Sequence, residues 1–220
     1  DRGPSPLLRW ADEVRRLGVS ANADDPVDAS RAKEYGAEGI GLCRTEHMFF
    51  EAERLPTVQK MILAETTADR QKALDVLMPM QREDFRGLFE EMTGMPVIIR
   101  MIDPPLHEFL PAHEDLEHEL HDLEEDTTVP HDAEIKELER KIGRVEGLHE
   151  ENPMLGFRGV RLGILMPEIA QMQARAIIEA ACDAVENGFS PKSEIMIPVS
   201  IHVKEIERIK ALIVAVADEV

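Results

Sequence analysis

The chain has 220 residues, of which 43% are hydrophobic and 31% are charged, so it can bury a core as one large domain or two small ones. Its formal net charge of −19 argues against a nucleic-acid-binding protein and against binding to an anionic membrane, because both partners require a basic surface. No signal peptide or apolar run of about 20 residues is apparent, and the only cysteines are Cys43 and Cys182, so we expect a cytoplasmic protein with reduced thiols.

The first half of the chain alternates short apolar runs with helical patterns. Residues 1–17 are interpreted as a linker and a short helix that lead in from a preceding domain. Asp25 is expected to cap a helix that has Pro26 at its first position and ends at Gly36. Strands are predicted at 19–23, 40–43 and 97–102, and helices at 56–64, 68–78 and 81–93.

The second half begins with an acidic helical excursion at 113–150, where two apolar stripes predict two helices. A loop at 153–161 leads into a long helix at about 167–187. A fourth strand is predicted at 194–199, followed by a final helix. The sequence starts without methionine and stops within a helical pattern, so we expect it to be a piece of a longer protein.

Strands that alternate with helices predict an α/β fold of parallel βα units. Four units are visible, with a helical insertion after strand 3, whereas a complete (β/α)8 barrel typically takes about 250 residues. We therefore expect residues 18–220 to form the N-terminal half of a (β/α)8 TIM-type barrel. The alternative is an open doubly wound sheet, but its G-x-G-x-x-G turn is not found in the sequence.

Two arginines, Arg44 and Arg100, each stand at the end of a short apolar run that predicts a β-strand. Arg44 is followed by Glu46 and His47, and Arg100 is followed by Asp103. Because parallel strands end at the same rim, two guanidinium groups there would form a seat for a dianionic phosphate or a carboxylate. The alternative is that each arginine only pairs with its neighbouring carboxylate.

A third group of candidates lies in the loop NPMLGFRGVR. Arg158 and Arg161 are flanked there by Gly156 and Gly159, which would let the backbone approach a ligand closely. We take Arg44, Arg100 and Arg158 as candidate ligand-binding residues. Candidates for a supporting role around them are Glu46, His47, Asp103, Arg161 and Asn22.

The cysteines and histidines are assigned no chemistry. Cys43 should point away from the rim if Arg44 faces it, so a buried, inert thiol is expected. Cys182 lies within the predicted long helix and is expected to be buried in the protein core. His118 and His121 are spaced i, i+3, but the pattern H-E-x-x-H is missing, so a solvated acidic helix is favoured over a metal site.

Six segments of the chain carry a family resemblance. They are ANADDP at 21–26, GAEGIGLCRTEHMFF at 36–50, MIDPPLHEFLP at 101–111, NPMLGFRGVRL at 152–162, PEIAQMQ at 167–173 and EIMIP at 194–198. Together they resemble the phosphoenolpyruvate-binding barrel of the phosphoenolpyruvate-utilising enzymes, and in particular the pyruvate, phosphate dikinase family, over nearly the whole chain from about Trp10. The segment DPPLHEF favours the dikinases over enzyme I of the sugar phosphotransferase system, which has a glycine-containing sequence there.

The resemblance implies an enzyme that interconverts ATP, pyruvate and phosphate with AMP, phosphoenolpyruvate and diphosphate through a phosphohistidine. That histidine would belong to a mobile domain of the same parent chain, and the parent would be a homodimer. The family's substrate-binding arginines correspond to Arg44 and Arg100, and a further one to Arg158. The resemblance also implies Mg²⁺, whose ligands are expected beyond Val220 together with the catalytic residues, so neither group is assigned to residues of this sequence.

Two further expectations concern the chain by itself. It should bind phosphoenolpyruvate or phosphate at most weakly through its arginines and should not turn over alone. Alternatives are a fragment of phosphoenolpyruvate synthase or of enzyme I, or, in a different class, an acidic interaction module in which 113–150 recruits a basic partner helix.

Overall fold

The computed structural model of the protein describes residues 6–125, 130–149 and 152–220. Within them four parallel strands form one sheet in the order β1-β2-β3-β4. The order follows the chain, and the four described strands do not close into a ring, which confirms the prediction of a partial (β/α) barrel. The strands are β1 (Ala21–Asn22), β2 (Ile40–Arg44), β3 (Pro96–Arg100) and β4 (Lys192–Met196).

Helices connect and cover these strands. The long predicted helix at 167–187 is present, and the predicted loop at 153–161 ends in a short helix that the sequence analysis missed. The helices of the described residues are α1 (Pro6–Val14), α2 (Pro26–Glu34), α3 (Thr45–Phe49), α4 (Leu55–Leu63), α5 (Thr67–Glu91), a 3₁₀ helix (Leu106–Phe109), α6 (His113–Glu125), α7 (Asp132–Leu148), α8 (Gly159–Leu165), α9 (Pro167–Glu186) and α10 (Val203–Glu219).

The main core lies between the sheet and helices α5 and α9. The register between β2 and β3 shifts between Ile40 and Cys43, so that both residues enter this core although they are three positions apart. Val97 and Ile99 alternate along β3 in the usual way and are also fully buried. Their partners on the two helices include Phe85, Leu88, Phe89, Ile177 and Ala180.

Helix α5 corrects one prediction. Two helices were expected at 68–78 and 81–93, but the structure has one helix that continues through Pro79. Pro79 lies on the exposed side, so the carbonyl that loses its N–H partner can be hydrated. The buried stripe is continuous on both sides of the proline, with Leu77 before it and Phe85 after it, and this packing outweighs the local penalty.

A second cluster joins the segments that follow β2 and β3. The rings of Phe50 and Phe109 stack with centroids 4.6 Å apart, and Phe49 meets Phe109 edge to face at 6.2 Å. Aromatic pairs in these arrangements are stabilising beyond the area they bury. The cluster therefore ties α3, at the end of β2, to the 3₁₀ helix that follows β3.

The excursion after strand 3 is helical, as predicted. Leu116 of α6 and Leu138 and Val145 of α7 are buried together, so the two apolar stripes of the sequence face each other. The predicted range 113–150 also contains 126–129 and 150, which lie outside the described residues.

The outer strands and the lead-in differ from their predicted bounds. The strand expected at 19–23 has only two residues, since Val19 is 54% exposed, and β4 starts at Lys192 instead of Glu194. Helix α1 lies within the predicted 1–17 lead-in, of which residues 1–5 are outside the described part, and its connection to a preceding domain stays a prediction. None of the helices in the described ranges has the length and apolar character that a bilayer span needs.

Candidate functional site

Arg44 and Arg100 are the last residues of β2 and β3 and are direct partners in the register of the sheet. The preceding pair, Cys43 and Ile99, is fully buried in the core. Because successive side chains alternate between the two faces of a strand, both arginines leave the sheet on the face opposite this core. Their side chains are 32% and 20% exposed, so the structure brings these two predicted residues to one rim and one face.

Arg100 is held between two nearly buried carboxylates. Its guanidinium forms an ion pair with Glu46, and its Nη1 lies 3.0 Å from Oδ2 of Asp103. Glu46 and Asp103 are each 5% exposed. Oε2 of Glu46, Oδ1 of Asp103 and Nε of Arg100 are buried and have no hydrogen-bond partner, so the cluster has hydrogen-bonding capacity that its own members do not use.

Arg158 joins the same cluster through Asp103. Its Nη2 lies 3.0 Å from Oδ2 of Asp103, the oxygen that also forms the ion pair with Arg100, and its Nε donates to the Asp103 carbonyl at 3.1 Å. Arg158 therefore reaches the rim from the loop before α8. Arg161, in contrast, donates to the carbonyls of Leu155 and Gly156 at 2.8 and 2.7 Å, which stabilises the loop itself.

The first residues of α8 are in close backbone contact with the segment that follows β4. Gly159 has φ +55°, and a Cβ built on it would lie 2.9 Å from the carbonyl oxygen of Pro198. The neighbouring N–H of Val160 donates to that same carbonyl at 3.0 Å. Arg158 is thus placed by a close backbone contact on one side and by Asp103 on the other.

Arg44 has a different carboxylate, which sequence analysis missed. Asp24, just after β1, accepts from the Arg44 backbone N–H at 2.6 Å, and its Oδ2 lies 3.7 Å from Nη1 of Arg44. The same oxygen lies 2.7 Å from Nδ1 of His47. Asp24 follows the end of a strand, as Arg44 and Arg100 do, and this position could have identified it. The predicted residue Asn22 lies on β1, where it pairs with Leu42 of β2. Strand β2 separates it from β3, and Asn22 is exposed.

The two hypotheses for the arginines both find support in this geometry. Arg100 and Arg158 contact carboxylates at ion-pair distance, as the pairing alternative predicted. Arg44 has the longest carboxylate contact of the three and the most exposed side chain, so its guanidinium is the most available to an anion. A neighbouring cavity of about 160 Å³ is lined by Asp24, Asp25, His47, Glu51 and Asp84, and its acidic wall disfavours an anion on that side.

Mg²⁺ needs several oxygen ligands around one point, and the described residues do not offer such a set. Among the described residues there is no group of three His, Cys, Asp or Glu side chains placed to hold a metal ion. Glu46 and Asp103, the two carboxylates beside Arg100, each form an ion pair with it through one oxygen. The described residues therefore do not fit the metal by themselves.

On α6, His121 lies 3.3 Å from Glu125, and His113 contacts Glu117 and Glu146.

The thiols divide into one buried and one exposed group. Cys43 is fully buried, as predicted, and its pKa is raised, mainly by burial and further by the negative charges of Asp24 and Glu46. The prediction for Cys182 was wrong, because it is exposed. The buried face of α9 runs through Ile177, Ala180 and Ala184, and Cys182 falls between its positions.

Nearly the whole chain is similar to known proteins. Residues 5–220 match the family model described as "PEP-utilising enzyme, PEP-binding domain". The chain is 54% identical to pyruvate, phosphate dikinase 1, chloroplastic, of Arabidopsis thaliana over 193 residues, 88% of this chain and 19% of that protein.

Two relatives from other lineages give the same result. The chain is 52% identical to pyruvate, phosphate dikinase of Giardia intestinalis over 214 residues, and 51% identical to that of Rhizobium meliloti (strain 1021) over 215 residues. Each alignment covers 97% of this chain and 23% of the relative. The chain thus spans about a fifth of the length of the curated relatives it matches.

Proposed function

The chain belongs to the family of PEP-utilising enzymes, in which it matches the PEP-binding domain, and on this premise we propose that it is the part of a pyruvate, phosphate dikinase that binds phosphoenolpyruvate and pyruvate. The parent enzyme would interconvert ATP, pyruvate and phosphate with AMP, phosphoenolpyruvate and diphosphate. A phosphohistidine on another domain of the same polypeptide would carry the phosphoryl group to this site. The names of the relatives favour the dikinase over phosphoenolpyruvate synthase and enzyme I.

The register pairing of Arg44 with Arg100 is the observation that carries the proposal. Phosphoenolpyruvate has two anionic ends, a phosphate and a carboxylate, and pyruvate keeps the carboxylate. Two guanidinium groups on adjacent strands offer forked donors that stay charged at every physiological pH. Phosphoryl transfer depends mainly on positioning and on neutralising charge at the phosphoryl oxygens, and forked cations supply both.

The three arginines would have different tasks. Arg44, with the weakest carboxylate contact, would receive an anionic end of the ligand directly. Arg100 is oriented by Glu46 and Asp103, so it would offer a guanidinium that is already fixed in position. Arg158 would add positive charge from the loop before α8, where Asp103 holds it beside Arg100.

The surrounding carboxylates balance this charge in the absence of a ligand. Asp24, Glu46 and Asp103 supply three negative charges against the three positive charges of the arginines. A bound dianion would make the site net negative, so its affinity would be modest and it would fall with increasing salt. Mg²⁺ is proposed as a cofactor of the parent enzyme, with ligands other than the described residues.

The experiment that tests the proposal replaces Arg44 and Arg100 singly with alanine in the full-length protein. We expect each replacement to lower kcat/KM for phosphoenolpyruvate by about 100-fold or more, because each removes a donor to charge that the reaction must stabilise. The matched control is Arg31→Ala, which removes an exposed arginine of α2 that pairs with its helical neighbour Asp28.

Steady-state kinetics with phosphoenolpyruvate, AMP and diphosphate give the measurement, and far-UV circular dichroism verifies folding. If both site variants fold and retain the kcat/KM of Arg31→Ala, the arginine site is refuted, and the excursion at 113–150 becomes the next candidate, as an acidic module for a basic partner.

A further inference from the structure

A buried polar network lies next to the arginine rim, by which we mean the edge of the sheet where β2 and β3 end at Arg44 and Arg100. Gln173 of α9 donates through Nε2 to Oγ1 of Thr45 at 3.0 Å and accepts through Oε1 from the backbone N–H of Ile102 at 2.9 Å. Thr45 in turn donates its hydroxyl to the backbone carbonyl of Arg100 at 3.0 Å. Gln173 and Thr45 are both fully buried, so water does not compete for these bonds.

Donor and acceptor roles are fixed by the chemistry of the partners. A backbone N–H can only donate, so the oxygen of the Gln173 amide must face Ile102, and its NH₂ must then face Thr45. The Arg100 carbonyl can only accept, so the Thr45 hydroxyl hydrogen points to it. The three bonds form one directional chain, in which each member sets the orientation of the next.

The network joins backbone positions that carry the candidate site. Thr45 is the residue after Arg44, the bonded carbonyl belongs to Arg100 itself, and Ile102 is the residue before Asp103. Strands β2 and β3 end at the two arginines, so the regular ladder between them stops there. Side-chain bonds from α9 then continue to hold the two chain segments together.

We propose that Gln173 and Thr45 are positioning residues, which hold the backbone of Arg44, Arg100 and Asp103 in the geometry that the ligand requires. This inference rests on the proposed function, because it assigns a role to the arginine rim. Both side chains are fully buried and bond to backbone and to each other, so they act through the arginines without touching the ligand. The resulting precision matters, since a displacement of about 1 Å can reduce turnover by about 100-fold.

The test compares variants that keep or remove one polar group. Thr45→Val replaces the hydroxyl with a methyl group of similar size, and Thr45→Ser keeps the hydroxyl. Gln173→Leu removes both amide contacts. We expect Thr45→Val and Gln173→Leu to lower kcat/KM for phosphoenolpyruvate in the full-length protein on the order of 10- to 100-fold. Thr45→Ser should restore it to near the parent value.

A buried glutamine elsewhere in the chain provides the matched control. Gln81 of α5 is also fully buried, but among the described residues its amide nitrogen contacts the sulfur of Met48 alone, at 3.9 Å, and its Oε1 has no partner there. Gln81→Leu should leave kcat/KM unchanged. The double variant Thr45→Val with Gln173→Leu should be no worse than the poorer single variant, because the two residues form one chain of bonds.

The outcomes separate the two claims. If Arg44→Ala and Arg100→Ala lose activity while folded Thr45→Val and Gln173→Leu retain it, the positioning role is overturned and the arginine site stands. Unchanged activity in the arginine variants overturns both. Should Gln173→Leu fail to fold, the Thr45→Val and Thr45→Ser pair decides alone, and equal activity of that pair refutes the role.

Discussion

At the scale of single residues, the two cysteines differ in environment more than the sequence indicated. Cys43 sits in the core beneath the arginine rim, and burial together with nearby carboxylates raises its pKa. Cys182 lies on the exposed side of α9. Since the thiolate is the reactive form, a raised pKa and burial both make Cys43 unreactive.

Thiol titration checks this difference. With an aromatic disulfide reagent at pH 8, the folded chain is expected to release one equivalent rapidly, from Cys182, and the second only after denaturation. Cys182→Ser should abolish the rapid phase and leave the slow one. Two rapid equivalents, or a rapid phase that survives Cys182→Ser, would contradict the buried position of Cys43.

The contact partners of individual side chains were also the hardest feature to predict from the sequence. Arg44 and Arg100 could be placed because each directly follows an apolar run, and parallel strands end together. Gln173 contacts these segments only in the folded protein, across a separation that no local pattern encodes. Gln173 lies within a helical apolar pattern, where an interior polar residue carries no sign of its partner.

At the scale of secondary structure, prediction succeeded where burial imposes a period. Helix α9 and strand β3 pack against the core, so the buried apolar residues of α9 recur at helical spacing and those of β3 alternate along the strand. The outer strand β4 was misplaced because its residues are mostly exposed and carry no alternation. Two helices were predicted at 68–78 and 81–93, although the buried stripe of α5 continues through Pro79 between them.

The proline in α5 gives a stability prediction. Replacing Pro79 with alanine restores a backbone hydrogen bond in an exposed helix interior, so we expect the free energy of unfolding to rise by about 1–3 kcal/mol. Pro167→Ala is the control, because Pro167 occupies the first turn of α9, where its missing N–H has no helical partner anyway. Urea denaturation followed by circular dichroism measures both.

A Pro79→Ala variant that is no more stable than the parent would contradict the expected gain from the restored hydrogen bond. A gain in the Pro167→Ala variant of the same size would mean that the effect comes from the unfolded state.

At the scale of the whole molecule, the described sheet has two outer strands. β1 and β4 each pair with one neighbour, so each presents unpaired backbone groups on its other side. β4 carries Lys192 and Glu194, and charges of this kind oppose edge-to-edge pairing. Met196, at the end of the same strand, is 37% exposed and carries no such protection.

We therefore expect the isolated 220-residue chain to self-associate. Sedimentation velocity should give an average mass that rises with protein concentration, and Met196→Lys should reduce the rise by adding charge at the edge. Val214→Lys, at an exposed apolar position of α10, is the control. A chain that stays monomeric over roughly a hundred-fold concentration range would contradict the expected role of the open edges.

The close contact between the start of α8 and Pro198 limits which residues position 159 can accept. Position 159 has room for a hydrogen atom and none for a methyl group, because the Pro198 oxygen already occupies the space. The left-handed backbone at the same position independently disfavours every residue with a side chain. We therefore expect substitution of Gly159, even by an uncharged residue such as alanine, to displace the neighbouring Arg158 guanidinium from its present position against Asp103.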